Sequence, residues 1–141
     1  MEIQLWREIL SPYELAVDEL TLKFHHIIRE YRKAGLYSPI EQVDGRVKSI
    51  SSILDKMQRK KINANNIEDK LEDIAGIRLI CQFVEDIEKV VEIIEGRTDM
   101  EIKSRKDYIS QSKDSGYRSY HLIIYYEVKT IYGRKRLQAE I

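Results

Sequence analysis

Residues 73–94 read DIAGIRLICQFVEDIEKVVEII, and two periodicities meet inside this stretch. Ile77, Leu79 and Cys81 alternate with Arg78, Ile80 and Gln82, which is the two-residue repeat of a strand. Ile87, Val90, Val91 and Ile94 then recur at three- and four-residue steps, the inner face of a helix that closes near Gly96. A strand handing over to a helix after so short a connection belongs to a domain that mixes helices with a sheet.

Toward the N-terminus, Ser11-Pro12 reads as a helix start, with Ser as N-cap and Pro at the first helical position. Tyr13, Ala16, Val17, Leu20, Phe24, Ile27, Ile28 and Tyr31 form one apolar stripe, stopped by Gly35. Residues 3–10 are expected to add a separate, short lead-in helix. Ser38-Pro39 opens a turn, and 41–48 reads as a short strand with Val43 and Val47 on one side. A helix over 49–61 is expected to bury Ile50, Ile53, Leu54 and Met57, followed by a loop at 63–66 and a brief helical turn at 67–72. Toward the C-terminus, strands are expected at 100–109 and 118–129. A turn at Tyr132-Gly133 leads to a last strand that starts near Lys135 and is cut off at Ile141. With no internal repeat or Pro/Gly/Ser-rich linker, residues 1–141 read as one α+β domain, a mixed β-sheet flanked by helices.

The bulk composition narrows the function. At 141 residues, 43% hydrophobic and 34% charged, the chain is long enough to bury a core and too apolar for a disordered one. No apolar run approaches the ~18 residues of a bilayer span, and no signal-peptide pattern opens the chain, so no membrane partner is expected. The lone Cys81 sits in an apolar run and reads as a buried, inert thiol in a reducing cytoplasm. One Cys and three scattered His leave no zinc-type ligand set. The 24 Lys and Arg balance the 24 Asp and Glu, so global charge gives no support for gripping long nucleic acid.

Three residue sets could carry chemistry. Ser52, Lys56 and Arg59 lie at i, i+4 and i+7 on one helix face, with Arg46 and Lys48 just upstream. Cations and a hydroxyl on a rigid platform suit a triphosphate, although spacing alone fits an ordinary solvated helix face better. Asp73 precedes Gly76 and the strand bearing Arg78, and Glu140 alternates with Gln138 on the last strand. Carboxylates at such edges suit Mg²⁺, which takes one or two of them plus phosphate oxygens and water; taken singly, each also reads as surface charge. The densest set is Ser115-Gly116-Tyr117-Arg118-Ser119-Tyr120-His121. There a ring after a glycine turn offers a base-stacking platform, and Tyr117, Ser119 and His121 share a strand face; amphipathic sheet residues explain the pattern equally well.

In order along the chain, Gly45-Arg46-Val47-Lys48, then Ser52, Lys56 and Arg59, Asp73-Ile74-Ala75-Gly76-Ile77-Arg78, Arg105-Lys106-Asp107-Tyr108-Ile109, Gly116 to His121 and Ala139-Glu140-Ile141 resemble the synthetase domain of the RelA/SpoT family. The pattern is most similar to the small alarmone synthetases, which have a nucleotidyltransferase-like fold. The resemblance covers about residues 11–141. It implies a (p)ppGpp synthetase of the stringent response, moving the pyrophosphate of ATP to the 3′-hydroxyl of GDP or GTP and releasing AMP. It further implies that Arg46 and Arg78 sandwich adenine while Lys48, Ser52, Lys56 and Arg59 hold the ATP phosphates. Asp73 would bind Mg²⁺, and Glu140 would share the metal, help activate the 3′-hydroxyl, or both. Tyr117 would stack on guanine, with Arg105, Lys113 and His121 facing the acceptor. A homo-oligomer, a tetramer, is implied as well.

The sequence departs from the family pattern in two places. The family's last motif continues as Glu-Ile-Gln-Ile-Arg-Thr with mostly helix beyond, whereas this chain stops after Glu140-Ile141 and is expected to lack those C-terminal helices. Thr21, His25 and Ile28 stand where some tetrameric members carry basic residues for binding the alarmone, so activation of that kind is not expected. Two other readings stay open: a tRNA-pyrophosphorylating toxin of the same family, and a non-catalytic nucleotide- or RNA-binding module.

Overall fold

The computed structural model describes residues 3–109 and 119–141. It begins with one long helix, α1 (Ile3–Lys33). The separate lead-in helix expected over 3–10 does not exist, because Trp6 and Leu10 extend the stripe of Tyr13, Leu20, Phe24 and Ile27 and are buried along with it. Pro12 therefore lies inside the helix rather than at its start. An interior proline removes one N–H···O bond and costs about 3 kcal/mol. Burial of several large side chains at roughly 1.5–3 kcal/mol each outweighs that. Gly35 ends the helix at φ +72°, with Leu36 N–H donating to the Tyr31 carbonyl and Gly35 N–H to that of Arg32, the double bond of a glycine-closed terminus.

The remaining elements are β1 (Gln42–Val47), α2 (Ile50–Lys60), a 3₁₀ turn (Ala64–Asn66), α3 (Ile67–Lys70), β2 (Ala75–Ile80), α4 (Val84–Glu95), β3 (Glu101–Asp107), β4 (Tyr120–Thr130) and β5 (Gly133–Glu140). Among the described residues the strands form one mixed sheet in the order β1-β2-β5-β4-β3. β1–β2, β3–β4 and β4–β5 are antiparallel. β2–β5 is parallel and spans only two rungs, Ala75 with Ala139 and Gly76 with Glu140. The expected α+β class and mixed sheet are thus what the chain adopts.

Core packing sets which face is which. α1 lies against β1, β2, β4 and β5. A Cβ at Gly45 would stand 2.5 Å from Thr21 Oγ1 and 2.8 Å from Val17 Cγ1, so glycine is what lets α1 approach the sheet this closely. Gly45 pairs with Ile77 across the β1–β2 ladder, which puts both on the α1 side. Asp44, Arg46, Gly76 and Arg78 consequently point to the opposite side. Leu122, Ile124, Tyr126 and Val128 of β4 are buried, while His121 alternates with them.

α2 has Ser49 as N-cap, its side chain accepting from the Ser52 N–H, and Lys61 in the left-handed region at φ 53° as C-cap. Of its four expected core residues only Ile53 is fully buried and Met57 partly so. Ile50 and Leu54 are exposed, because this short helix touches the core along a single line. Residues 63–66, expected as loop, include the 3₁₀ turn. Cys81 is half-buried rather than buried; burial nonetheless raises its thiol pKa to about 11, consistent with an inert thiol. Among the described residues no helix is long and apolar enough to cross a membrane.

Candidate functional site

A cleft of about 680 Å³ opens on the sheet beside the β2–β5 pairing. Its rim carries Arg46, Asp73, Gly76, Arg78, His121 and Glu140, and α4 lines it with Val90, Val91 and Ile94. Five residues singled out by the sequence, on four separate segments, therefore converge on one cavity.

Asp73 is the electrostatic centre. Lys48 Nζ donates to Oδ2 at 2.8 Å and Lys56 Nζ to Oδ1 at 2.9 Å. The Lys48 N–H bonds the Ile74 carbonyl, which fixes the end of β1 beside the residue after Asp73. Burial alone would raise the Asp73 carboxyl, but the hydrogen bonds from Lys48 and Lys56 outweigh it and hold it below the usual carboxylate range. The group is an ionised carboxylate at neutral pH, with a lysine on each oxygen.

Glu140 lies across the cleft rim. His121 Nδ1 approaches its Oε1 at 3.7 Å, and the far ring nitrogen, Nε2, is 3.1 Å from Ser119 Oγ. The Tyr108 ring meets the imidazole edge-on with centroids 5.5 Å apart. Ser119, His121 and Glu140 thus form a short polar chain on the open face of the sheet. The alternation of the strand anticipated that Ser119 and His121 share a face; their contact with Glu140 across strands was not legible.

Arg46 and Arg78 stand diagonally across the β1–β2 ladder, since Arg46 is opposite Gly76 and Asp44 is opposite Arg78. Both are exposed, and among the described residues neither enters an ion pair. A Cβ at Gly76 would meet only the Arg46 carbonyl and stem, at 3.8 and 3.9 Å, so the sheet face directly above Gly76 is uncrowded.

Other predicted site residues fall elsewhere. Ser52 shares a hydrogen bond with Ser49 on the surface of α2. Arg59 pairs with Asp55 one turn back and is largely exposed. Neither lines the cleft. Arg105 is opposite buried Leu122 and therefore on the other strand face from His121, 3.8 Å from Glu95. Lys113 and Tyr117 lie outside the described residues.

No group of three or more His, Cys, Asp or Glu that could cage a metal occurs among the described residues. Two carboxylates on one cleft, with Asp73 held ionised, nonetheless fit the donor set of Mg²⁺, which takes its remaining ligands from water and phosphate.

Comparison with known proteins agrees with this architecture. Residues 45–141 match the model for the region found in RelA / SpoT proteins. GTP pyrophosphokinase YjbM of Bacillus subtilis (strain 168) is 45% identical over 141 residues, covering all of this chain and 66% of that protein. The chain thus spans just under two thirds of that relative. A GTP pyrophosphokinase family protein from Streptococcus pneumoniae superposes with a TM-score of 0.94 at 49% identity, covering 100% of this chain and 69% of that one. The small alarmone synthetase 1 of Bacillus subtilis bound to its product pppGpp gives 0.90 at 45% identity, over 98% of this chain and 71% of that one. On sequence and fold alike, the chain belongs to the RelA/SpoT family.

Proposed function

We propose that this chain is the synthetase domain of a cytoplasmic small alarmone synthetase, a GTP pyrophosphokinase that transfers the pyrophosphate of ATP to the 3′-hydroxyl of GDP or GTP. One observation carries the reading. Asp73, with a lysine on each oxygen, and Glu140, approached by His121, lie on a single cleft beside two exposed, diagonal arginines. The product complex of the Bacillus subtilis small alarmone synthetase 1 supports the substrate class.

In this reading adenine lies between Arg46 and Arg78, whose planar cations stack on a base where a lysine would not. Lys48 and Lys56 turn from Asp73 to the ATP phosphates, and Ser52 extends the same face. Arg59 joins them by exchanging Asp55 for a phosphate oxygen. Asp73 and Glu140 would hold Mg²⁺, which would supply neutralisation of the phosphate charge. His121 lies on the acceptor side, and Tyr117, Lys113 and Arg105 are assigned there by motif. Glu140 accepts the proton of the acceptor's 3′-hydroxyl as that oxygen bonds to the β-phosphorus in line. The bridge between the α- and β-phosphates breaks, and AMP leaves with the bond's electron pair. Little covalent chemistry falls to the side chains, so positioning and charge neutralisation supply the acceleration.

The tetramer implied by the resemblance, and the lack of activation by alarmone expected from Thr21, His25 and Ile28, belong to the same proposal. Sedimentation and a rate measured with added pppGpp read them out. The main test is incubation with γ-labelled ATP, Mg²⁺ and either GDP or tRNA. Label on a guanosine nucleotide with one AMP per transfer supports the proposal. Label on tRNA would move the chain to the tRNA-modifying branch, and binding without AMP release would make it a non-catalytic module.

A further inference from the structure

We infer that Asp44 selects adenine in the donor pocket by accepting a hydrogen bond from the base's 6-amino group. The inference rests on the proposed placement of ATP and concerns a residue outside the motifs that identify the family.

The argument is one of register. Arg46 faces Gly76 and Asp44 faces Arg78, so these four side-chain positions form a rectangle on the open face of β1 and β2. The arginines occupy one diagonal. A ring stacked between them must run along the other diagonal, from Gly76 to Asp44. The phosphate end of the nucleotide is fixed by Lys48 and Lys56, both on Asp73, three residues before Gly76. Walking away from that end, the rungs are Arg46 with Gly76 and then Asp44 with Arg78. Gly76 thus lies beneath the sugar-proximal part of the base, and Asp44 faces its distal edge.

Asp44 lines the cleft and is exposed. Although it is opposite Arg78, among the described residues it forms no ion pair. Its Oδ2 accepts from Gln42 Nε2 at 3.1 Å, two residues along the same face, which orients the carboxylate and leaves Oδ1 for a ligand. An ionised carboxylate only accepts. At the 6-position adenine offers a donor, whereas a 6-oxo purine such as hypoxanthine offers an acceptor there and has its nearest donor one ring atom away, at N1.

The test uses saturating GDP as acceptor and compares three donors: ATP, inosine triphosphate and purine-riboside triphosphate, which has no group at the 6-position. Affinities come from competition against a fluorescent ATP analogue, and kcat/KM from label transfer. The variants are Asp44→Asn, which keeps an acceptor for Gln42 and adds a donor, and Asp44→Ala. In the wild type, removal of the 6-amino group is expected to weaken the donor on the order of 10–100-fold, the span of a hydrogen bond to a charged group. In Asp44→Ala the same removal should cost less than about twofold, and Asp44→Asn should lower the preference for ATP over the inosine nucleotide by at least about tenfold. Preferences unchanged in both variants, while Arg46→Ala and Arg78→Ala still weaken ATP, would overturn the role of Asp44 alone. A wild type that binds no ATP overturns both this inference and the donor site itself.

Discussion

Glu140 on β5 stands beside Gly76 on β2, the second rung of a two-rung parallel ladder. That pairing sets the Glu140 carboxylate on the cleft that Asp73, three residues before Gly76, also lines.

The Glu140 side chain is half-exposed, so Glu140→Gln should preserve the fold. Product formation should fall by about 10²–10³, the loss of one transition-state interaction of roughly 3–4 kcal/mol. Thermal melts alongside the label-transfer assay check both halves of the expectation.

The glycines of the first two motifs separate packing from binding. At Gly45 a methyl group would collide with Thr21 and Val17, so Gly45→Ala should destabilise the domain by about 1–3 kcal/mol in urea. At Gly76 a methyl meets ordinary contacts only, so Gly76→Ala should melt like wild type yet bind ATP roughly tenfold more weakly, the effect of crowding a ring by about 1.4 kcal/mol. The reverse pattern would place adenine elsewhere.

Lys61 closes α2 in a conformation that suits glycine, with Ile62 N–H bonding the Met57 carbonyl. Lys61→Gly should stabilise the domain by about 1 kcal/mol, the left-handed strain released. A lower denaturation midpoint for the variant would contradict this account of the terminus.

Asp99 ties α1 to the segment before β3 through Arg97 and Lys23, each at 2.8 Å. The Arg97 hydrogen bonds, and then those of Lys23, overcome partial burial and hold its carboxyl well below the usual range. A lowered folded pKa gives stability that is present above the unfolded value, about 3.9, and lost as pH falls through the folded one. Melting temperature should therefore drop below about pH 4, and Asp99→Asn should flatten that part of the profile. Parallel profiles for the two proteins would show that this network carries none of the acid sensitivity.

Much of this was legible in the sequence, for identifiable reasons. The 3.6-residue stripe of α1 and the alternation in β2 are local periodicities, and they survive into the structure. Pro12 misled because a helix-start signal is local, whereas the burial of Trp6 and Leu10 that overrides it is tertiary. Ile50 and Leu54 looked inward because periodicity gives a helix's apolar side but not how much of that side meets a partner. Gln138 entered only as the strand neighbour of Glu140, yet it is buried and ties α3 to the sheet by donating to the Glu68 and Asp69 carbonyls. At the site, residue types and order singled out Asp73, Glu140, Arg46 and Arg78, but convergence across strands has no local signature. Asp44 had one: it alternates with Arg46 and so shares its face.

The most direct test of a shared Asp73–Glu140 pocket is a double-mutant cycle on the rate of pyrophosphate transfer, using Asp73→Asn, Glu140→Gln and both together. One common site predicts strong coupling, with the double variant hardly slower than the slower single one. Losses that multiply as for independent positions, or single variants that retain wild-type rates, would contradict it.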